Sequence, residues 1–210
     1  MTYKSYADMP EEDRYAGNHL VGEIEILPGP EQLVPVLFEN KYVAIVEDRV
    51  LFPNGKEGRY MRIFHQSELV GRHGTVMLAR KDEKYILLRL FRHPTRSWEL
   101  ECPRGFAEPD ISAAENARKE IWEELGVEIE YMEKIGVIHP DSGLLTTRAH
   151  VFLVELAALP GEGGADRQKE AIQSYLVLSK EEILRKIAEG EIRDAFTLSS
   201  ILLAITSSKF

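Results

Sequence analysis

The chain has 210 residues, with 26 Lys and Arg against 35 Asp and Glu, a formal charge of −9 and 44% hydrophobic residues. That apolar content builds a core, so a disordered chain is excluded, and the length suits one domain or a domain with a small appendage. The acidic balance lacks the basic footprint of a nucleic-acid or membrane-surface binder, and no apolar run approaches the roughly 20 residues of a membrane helix.

Residues 1 to about 40 are acidic and proline-rich and read as irregular, with a strand near Val21 to Leu27. Tyr42 to Phe52 is a β-branched and aromatic strand. Pro53-Asn54-Gly55 breaks it, and Arg59 to Gln66 returns antiparallel, giving a hairpin appendage over residues 1–66 ahead of a main domain over 67–210. Within that domain, Thr75 to Ala79 and Tyr85 to Phe91 are apolar strands joined by the charged turn Arg80 to Lys84. Trp98 to Cys102 follows, then a helix over Ala113 to Leu125 and strands over Ile129 to Ile138 and Ala149 to Leu156. Pro160-Gly161 opens a long polar loop, Ser174 to Leu178 is a short strand, and helices over Lys180 to Glu189 and Ala195 to Thr206 end the chain. Strands and helices interleave without the alternation of a parallel doubly wound sheet, which predicts an α/β fold with a mixed sheet and helices on both faces. The start lacks the apolar stretch of a signal peptide, so the chain is expected to be cytoplasmic. Cys102, the single cysteine, excludes an intramolecular disulfide and is expected to be a packed thiol. The six histidines show no ligand spacing.

The helix over Ala113 to Leu125 is the most informative segment. Ser112-Ala113-Ala114-Glu115 has capping-box spacing, and Gly126 suits the left-handed position after a helix end. At about 100° per residue, Ala114, Ala117, Ile121 and Leu125 form one stripe, and Glu120, Glu123 and Glu124 occupy the adjacent arc. Like charges three and four apart destabilise a helix by a few tenths of a kcal/mol per pair, a penalty that a bound cation removes. Hard oxygen donors select Mg²⁺ or Mn²⁺. Taken alone, three glutamates are also what an ordinary solvated helix face looks like.

The spacing of the whole segment goes further. Gly105 to Val127 resembles the Nudix box, G-x5-E-x7-R-E-U-x-E-E-x-G-U with U apolar, the signature of the Nudix hydrolases. Gly105, Glu120, Ile121, Glu123, Glu124, Gly126 and Val127 match it, a coincidence expected on the order of once in ten million start positions. Two positions depart: Ile111 stands at the first glutamate and Lys119 at the arginine. If those positions pair in the family, losing the acid relaxes the demand for a guanidinium fork. Leu90 to Pro94 and Trp98 to Gly105, with Lys169-Glu170-Ala171-Ile172 and Gly190 to Leu198, resemble the ADP-ribose pyrophosphatase subgroup. Ser142, where that subgroup carries a marker proline, and Arg104, where it carries a small residue, depart from it.

The resemblance implies a Nudix α/β/α sandwich with a mixed β-sheet. It also implies Mg²⁺-dependent (Mn²⁺ possible) hydrolysis of the pyrophosphate bond in a nucleoside diphosphate linked to another moiety, ADP-ribose or another nucleotide sugar foremost. Carried over by position, Glu120, Glu124 and the main-chain carbonyl of Arg104 ligate metal, Glu123 assists, and Glu170 is a further ligand or the general base, with Asp166 and Glu162 in reserve. Arg92 and Arg59 resemble positions that touch the diphosphate, and Glu101 points to the metal or its surroundings. Clustered carboxylates holding cations make an acidic pocket attractive to a small anion. The subgroup further implies a homodimer with the hairpin packed across the partner. Alternatives are a non-catalytic nucleotide-binding sensor and a Nudix hydrolase acting on a dinucleotide, cap or nucleoside triphosphate.

Overall fold

A computed structural model describes residues 5–14, 21–28, 36–108, 110–161 and 171–210. The chain forms two compact units: one from residues 1–72 with 141–147, the other from 73–140 with 148–210.

In the first unit, β3 (Val43–Leu51) pairs antiparallel along its length with β4 (Glu57–His65), as the hairpin reading expects. Its other edge takes β2 (Val36–Glu39) near its start and the two-residue β1 (Glu25–Ile26) near its end. β2 falls inside the stretch read as irregular. Its four residues are too few for a periodic pattern, and pairing to β3 rather than propensity makes it a strand. A short helix α1 (Glu11–Arg14) and a 3₁₀ turn (Tyr6–Asp8) precede it. Ala44, Val46, Phe64, Leu69 and Tyr6 form a small core. Residues 141–147 belong here because Ile63 exchanges backbone hydrogen bonds with them: its N–H donates to Leu144 O and its carbonyl accepts from Thr146 N, both at 3.0 Å.

The second unit is built on a seven-stranded mixed sheet. β5 (Gly74–Lys81) and β6 (Lys84–Arg92) meet through Asp82 and Glu83, both at positive φ, a tighter turn than the five charged residues implied. β7 (Ser97–Glu101) pairs with β6, and the two-residue β8 (Arg104–Gly105) with β5. β9 (Ile129–Ile138) lies antiparallel to β10 (Ala149–Leu156), which runs parallel to β5. β11 (Ile172–Leu178) closes the other edge against β6.

Helix α2 (Ala113–Leu125) covers one face, burying Ala117, Ile121 and Leu125 against Met77, Ile86, Leu88 and Val154. Each fully buried Ile or Leu contributes about 1.5–3 kcal/mol. Its limits match the sequence signals: Ser112 and Glu115 exchange both capping-box hydrogen bonds, and Gly126 ends it at φ +67°. Helices α3 (Lys180–Ala188) and α4 (Ala195–Thr206) cover the opposite face through Ile183, Ile201 and Ala204. Helices on both faces of a mixed sheet are the architecture anticipated above. No helix among the described residues is long and apolar enough to cross a membrane. Cys102 is buried, its N–H donating to Thr197 Oγ1 at 2.9 Å, and burial pushes the thiol well above its ordinary range, as a packed residue requires.

Candidate active site

Strands β5 and β6 pair only at their turn and splay beyond it, where β8 lies on β5 and β7 on β6. Arg104 and Gly105 therefore reach helix α2 from this opening. At Gly105 the contact is intimate: a Cβ built there would fall 1.9 Å from Glu120 Oε1, so only glycine lets that carboxylate lie against the main chain.

Of the three helix glutamates on the arc beside the apolar stripe, two are buried, with Glu120 8% and Glu124 3% exposed, which sets them apart from an ordinary solvated face. The wheel placed them beside the apolar stripe correctly, but β8 covers part of that arc. Glu123 stays half-exposed, and its Oε2 accepts from Lys119 Nζ at 2.8 Å.

Glu101 is 1% exposed and is gripped by the two arginines singled out from the sequence. Its Oε2 accepts from Arg92 Nη2 at 2.6 Å, Arg92 Nε lies 3.1 Å from both oxygens, and Arg104 Nη2 lies 2.9 Å from Oε2. Burial works against the charge of Arg92, but the hydrogen bonds and charge of Glu101, reinforced by Asp194 and Glu124, hold its pKa above the ordinary value. Arg104 also lies 3.4 Å from Asp194 and stacks on Phe196 at 4.5 Å. Glu101, Asp194 and Glu124 thus lie within electrostatic reach of Arg92, and Arg104 touches Glu101 and Asp194. Carboxylate oxygens of this kind are the donors a divalent cation takes. Among the described residues, however, no group of three or more His, Cys, Asp or Glu side chains is gathered closely enough to hold a metal. The arginines occupy the oxygens of Glu101. Glu170, Asp166 and Glu162 lie outside the described residues.

Arg59 lies on β4 in the first unit, largely exposed and 2.8 Å from Glu47. Asp194 is a site residue that the sequence reading missed. It caps α4, accepting from Thr197 N at 2.9 Å and from its hydroxyl at 2.8 Å, and Asp-x-x-Thr before an apolar run is a legible N-cap signal. What the sequence cannot carry is the turn of its other oxygen toward Arg104. Its neighbour Arg193 donates two hydrogen bonds to buried Glu99, at 2.8 and 2.9 Å, which hold that carboxyl below its ordinary pKa. Glu99 is therefore committed to Arg193. A groove of about 710 Å³ beside it is lined by Arg89, Trp98, Tyr175 and Arg193, and by none of the site residues read from the sequence.

A family model described as the NUDIX domain matches residues 71–205. The chain is 28% identical over 167 residues to an ADP-ribose pyrophosphatase of Bacillus subtilis (strain 168), covering 79% of this chain and 86% of that protein. It is 28% identical over 184 residues to a GDP-mannose pyrophosphatase of Cronobacter sakazakii (strain ATCC BAA-894), covering 74% and 91%. In fold it is similar to the crystal structure of an ADP compounds hydrolase, with a TM-score of 0.66, 16% identity, and coverage of 90% of this chain and 95% of that one.

Proposed function

Because the chain belongs to the Nudix family of hydrolases, we propose that it cleaves the pyrophosphate bond of a nucleoside diphosphate joined to a sugar, with ADP-ribose as the foremost substrate. The observation that carries the reading is the burial of Glu120 and Glu124, on the signature helix, beside a Glu101 already served by two arginines. Carboxylate oxygens brought together on one helix are the hard donors that Mg²⁺ takes between protein and phosphates. The relatives that act on ADP-ribose and GDP-mannose support the substrate class.

In this reading Glu120, Glu124 and the carbonyl of Arg104 hold Mg²⁺, with Mn²⁺ as a substitute. The contact of Glu120 with Gly105, which brings its carboxylate against the main chain next to that carbonyl, fits this donor set. When bound, the metal supplies charge neutralisation on the phosphates and acidifies an attacking water. The residues do the rest. Arg92 turns part of its fork from Glu101 to the diphosphate, and Glu101 orients both Arg92 and Arg104. Glu170, with Glu123 assisting, accepts the proton of the attacking water. One P–O bond forms as the bridging P–O bond breaks, so ADP-ribose and water give AMP and ribose 5-phosphate. We place the chain in the cytoplasm as a homodimer, a state favoured by Leu37, Phe38, Tyr60 and Met61, apolar side chains exposed on the N-terminal sheet.

The test is AMP release from ADP-ribose with Mg²⁺, beside GDP-mannose, NADH and diadenosine polyphosphates, products being identified by mass. Turnover of ADP-ribose that disappears in Glu124→Gln is the expected result. Absence of turnover on the whole panel, with nucleotide binding retained, would overturn it in favour of a sensor.

A further inference from the structure

The segment of helix α2 and the loop before it departs from the family signature twice, at Ile111 and at Lys119, and the structure shows which acids Lys119 meets. Lys119 Nζ lies 2.9 Å from Glu108 Oε1 and 2.8 Å from Glu123 Oε2. Glu108 stands three residues upstream of Ile111, in the loop from β8 to α2. The same loop is fastened one helical turn away, where Asn116 Nδ2 donates to Phe106 O at 3.0 Å and to Thr75 Oγ1 at 3.2 Å. Two helix side chains three residues apart therefore hold the segment that begins at Gly105, the residue against which Glu120 lies.

An ammonium suits this arrangement better than a guanidinium. Glu108 and Glu123 approach Lys119 from a loop and from the next turn of its own helix, and three rotatable donors reach acids in different directions where a planar fork favours one. Lys119 and Glu108 are each more than a third exposed, so the bridge contributes little to stability. Its effect is geometric. It selects one orientation of a long glutamate beside Glu120 and Glu124, and it ties down the loop that carries Gly105.

We propose that Glu108 replaces the missing signature glutamate and, through Lys119, is a positioning residue for Glu123 and for the Gly105 loop. The effect on turnover rests on the Nudix reading above; the effect on metal binding does not need a correct substrate. On this account the acid has moved three positions along the loop, and lysine accompanies it because the new acid meets the helix from another side.

Three variants of the full chain test it: Glu108→Gln, Glu108→Asp, and Glu108→Gln combined with Ile111→Glu, which returns the acid to the signature position. Two readouts are taken, Mn²⁺ affinity by calorimetry without substrate, and kcat and KM on ADP-ribose. Glu108→Gln is expected to weaken Mn²⁺ binding and lower kcat about tenfold while KM stays within about twofold. Glu108→Asp keeps most of both, and the relocated acid restores them. Unchanged Mn²⁺ affinity and kcat in Glu108→Gln would overturn the proposal, as would a loss that neither the aspartate nor the relocated glutamate repairs. If the unmodified chain turns over none of the nucleotides, the functional reading fails, and the Mn²⁺ titration still decides the role of Glu108.

Discussion

Each unit of this chain buries a carboxylate in the grip of arginine, and the two are opposites. In the N-terminal sheet, Asp48 accepts from Arg62 Nε at 2.5 Å and from Nη2 at 3.0 Å, and that Nη2 also donates to Tyr6 Oη and to Arg14 O. Among the described residues one acid meets one cation, whose Nη2 also serves two neutral oxygens. In the second unit Glu101 holds two arginines, one of which also reaches Asp194, and the other feels Glu124 as well. An isolated buried pair serves the fold, whereas networked, perturbed charges cluster where ligands are handled.

Mutations can break this contrast. Glu124→Gln should cost the most, on the order of 10²–10³-fold in kcat, because it removes electrostatic help in the transition state. The melting temperature of the metal-free protein should hold, because the amide fills the same volume. A marked fall in melting temperature would show that Glu124 is structural. Asp48→Asn should do the reverse, losing about 3 kcal/mol in denaturant unfolding because Arg62 keeps a buried charge without its partner. Full stability in that variant would end the comparison. Arg92→Lys keeps the charge but loses the fork, and the KM for ADP-ribose should rise about tenfold. An unchanged KM would leave Arg92 as no more than a clamp on Glu101.

The smallest effect concerns pH. Burial, then the charges of Arg148, His150, His139 and Lys134, holds His73 below its ordinary 6.5, and burial with Lys134 does the same to His150, whose ring meets that of His73 at 5.9 Å. The unfolded chain takes up these protons first, so their stabilisation is complete above pH 6.5 and is lost as pH falls below it. Unfolding measured from pH 7.5 to 5 should show that decline, and His150→Gln should flatten it. An equal slope in the variant would assign the decline to other groups.

Much of the second unit was legible because its elements are long and self-signposted. The capping box at Ser112, the stripe Ala117-Ile121-Leu125 and the left-handed Gly126 fix α2 to the residue, and the long stretches that become β9 and β10 are bounded as well. β2 and β8 were missed because two to four residues carry no period, and only partner strands make them extended. In the site, residue identities were legible and their commitments were not. Arg92 and Glu101 were each read toward a ligand, whereas in the structure they bind one another. Glu108 stands at an unspecified position of the signature, and only the fold brings it to Lys119.

Residues 141–147 give the first unit an unusual schedule. The chain crosses between the two units three times, and among the described residues the edge of β4 at Ile63 finds its partners in Leu144 and Thr146. On a ribosome, the hairpin of β3 and β4 emerges early but waits for the whole of β5 to β9 before that edge is covered. The N-terminal unit is begun first and completed late, and a chain cut after Arg72 leaves it without its final segment.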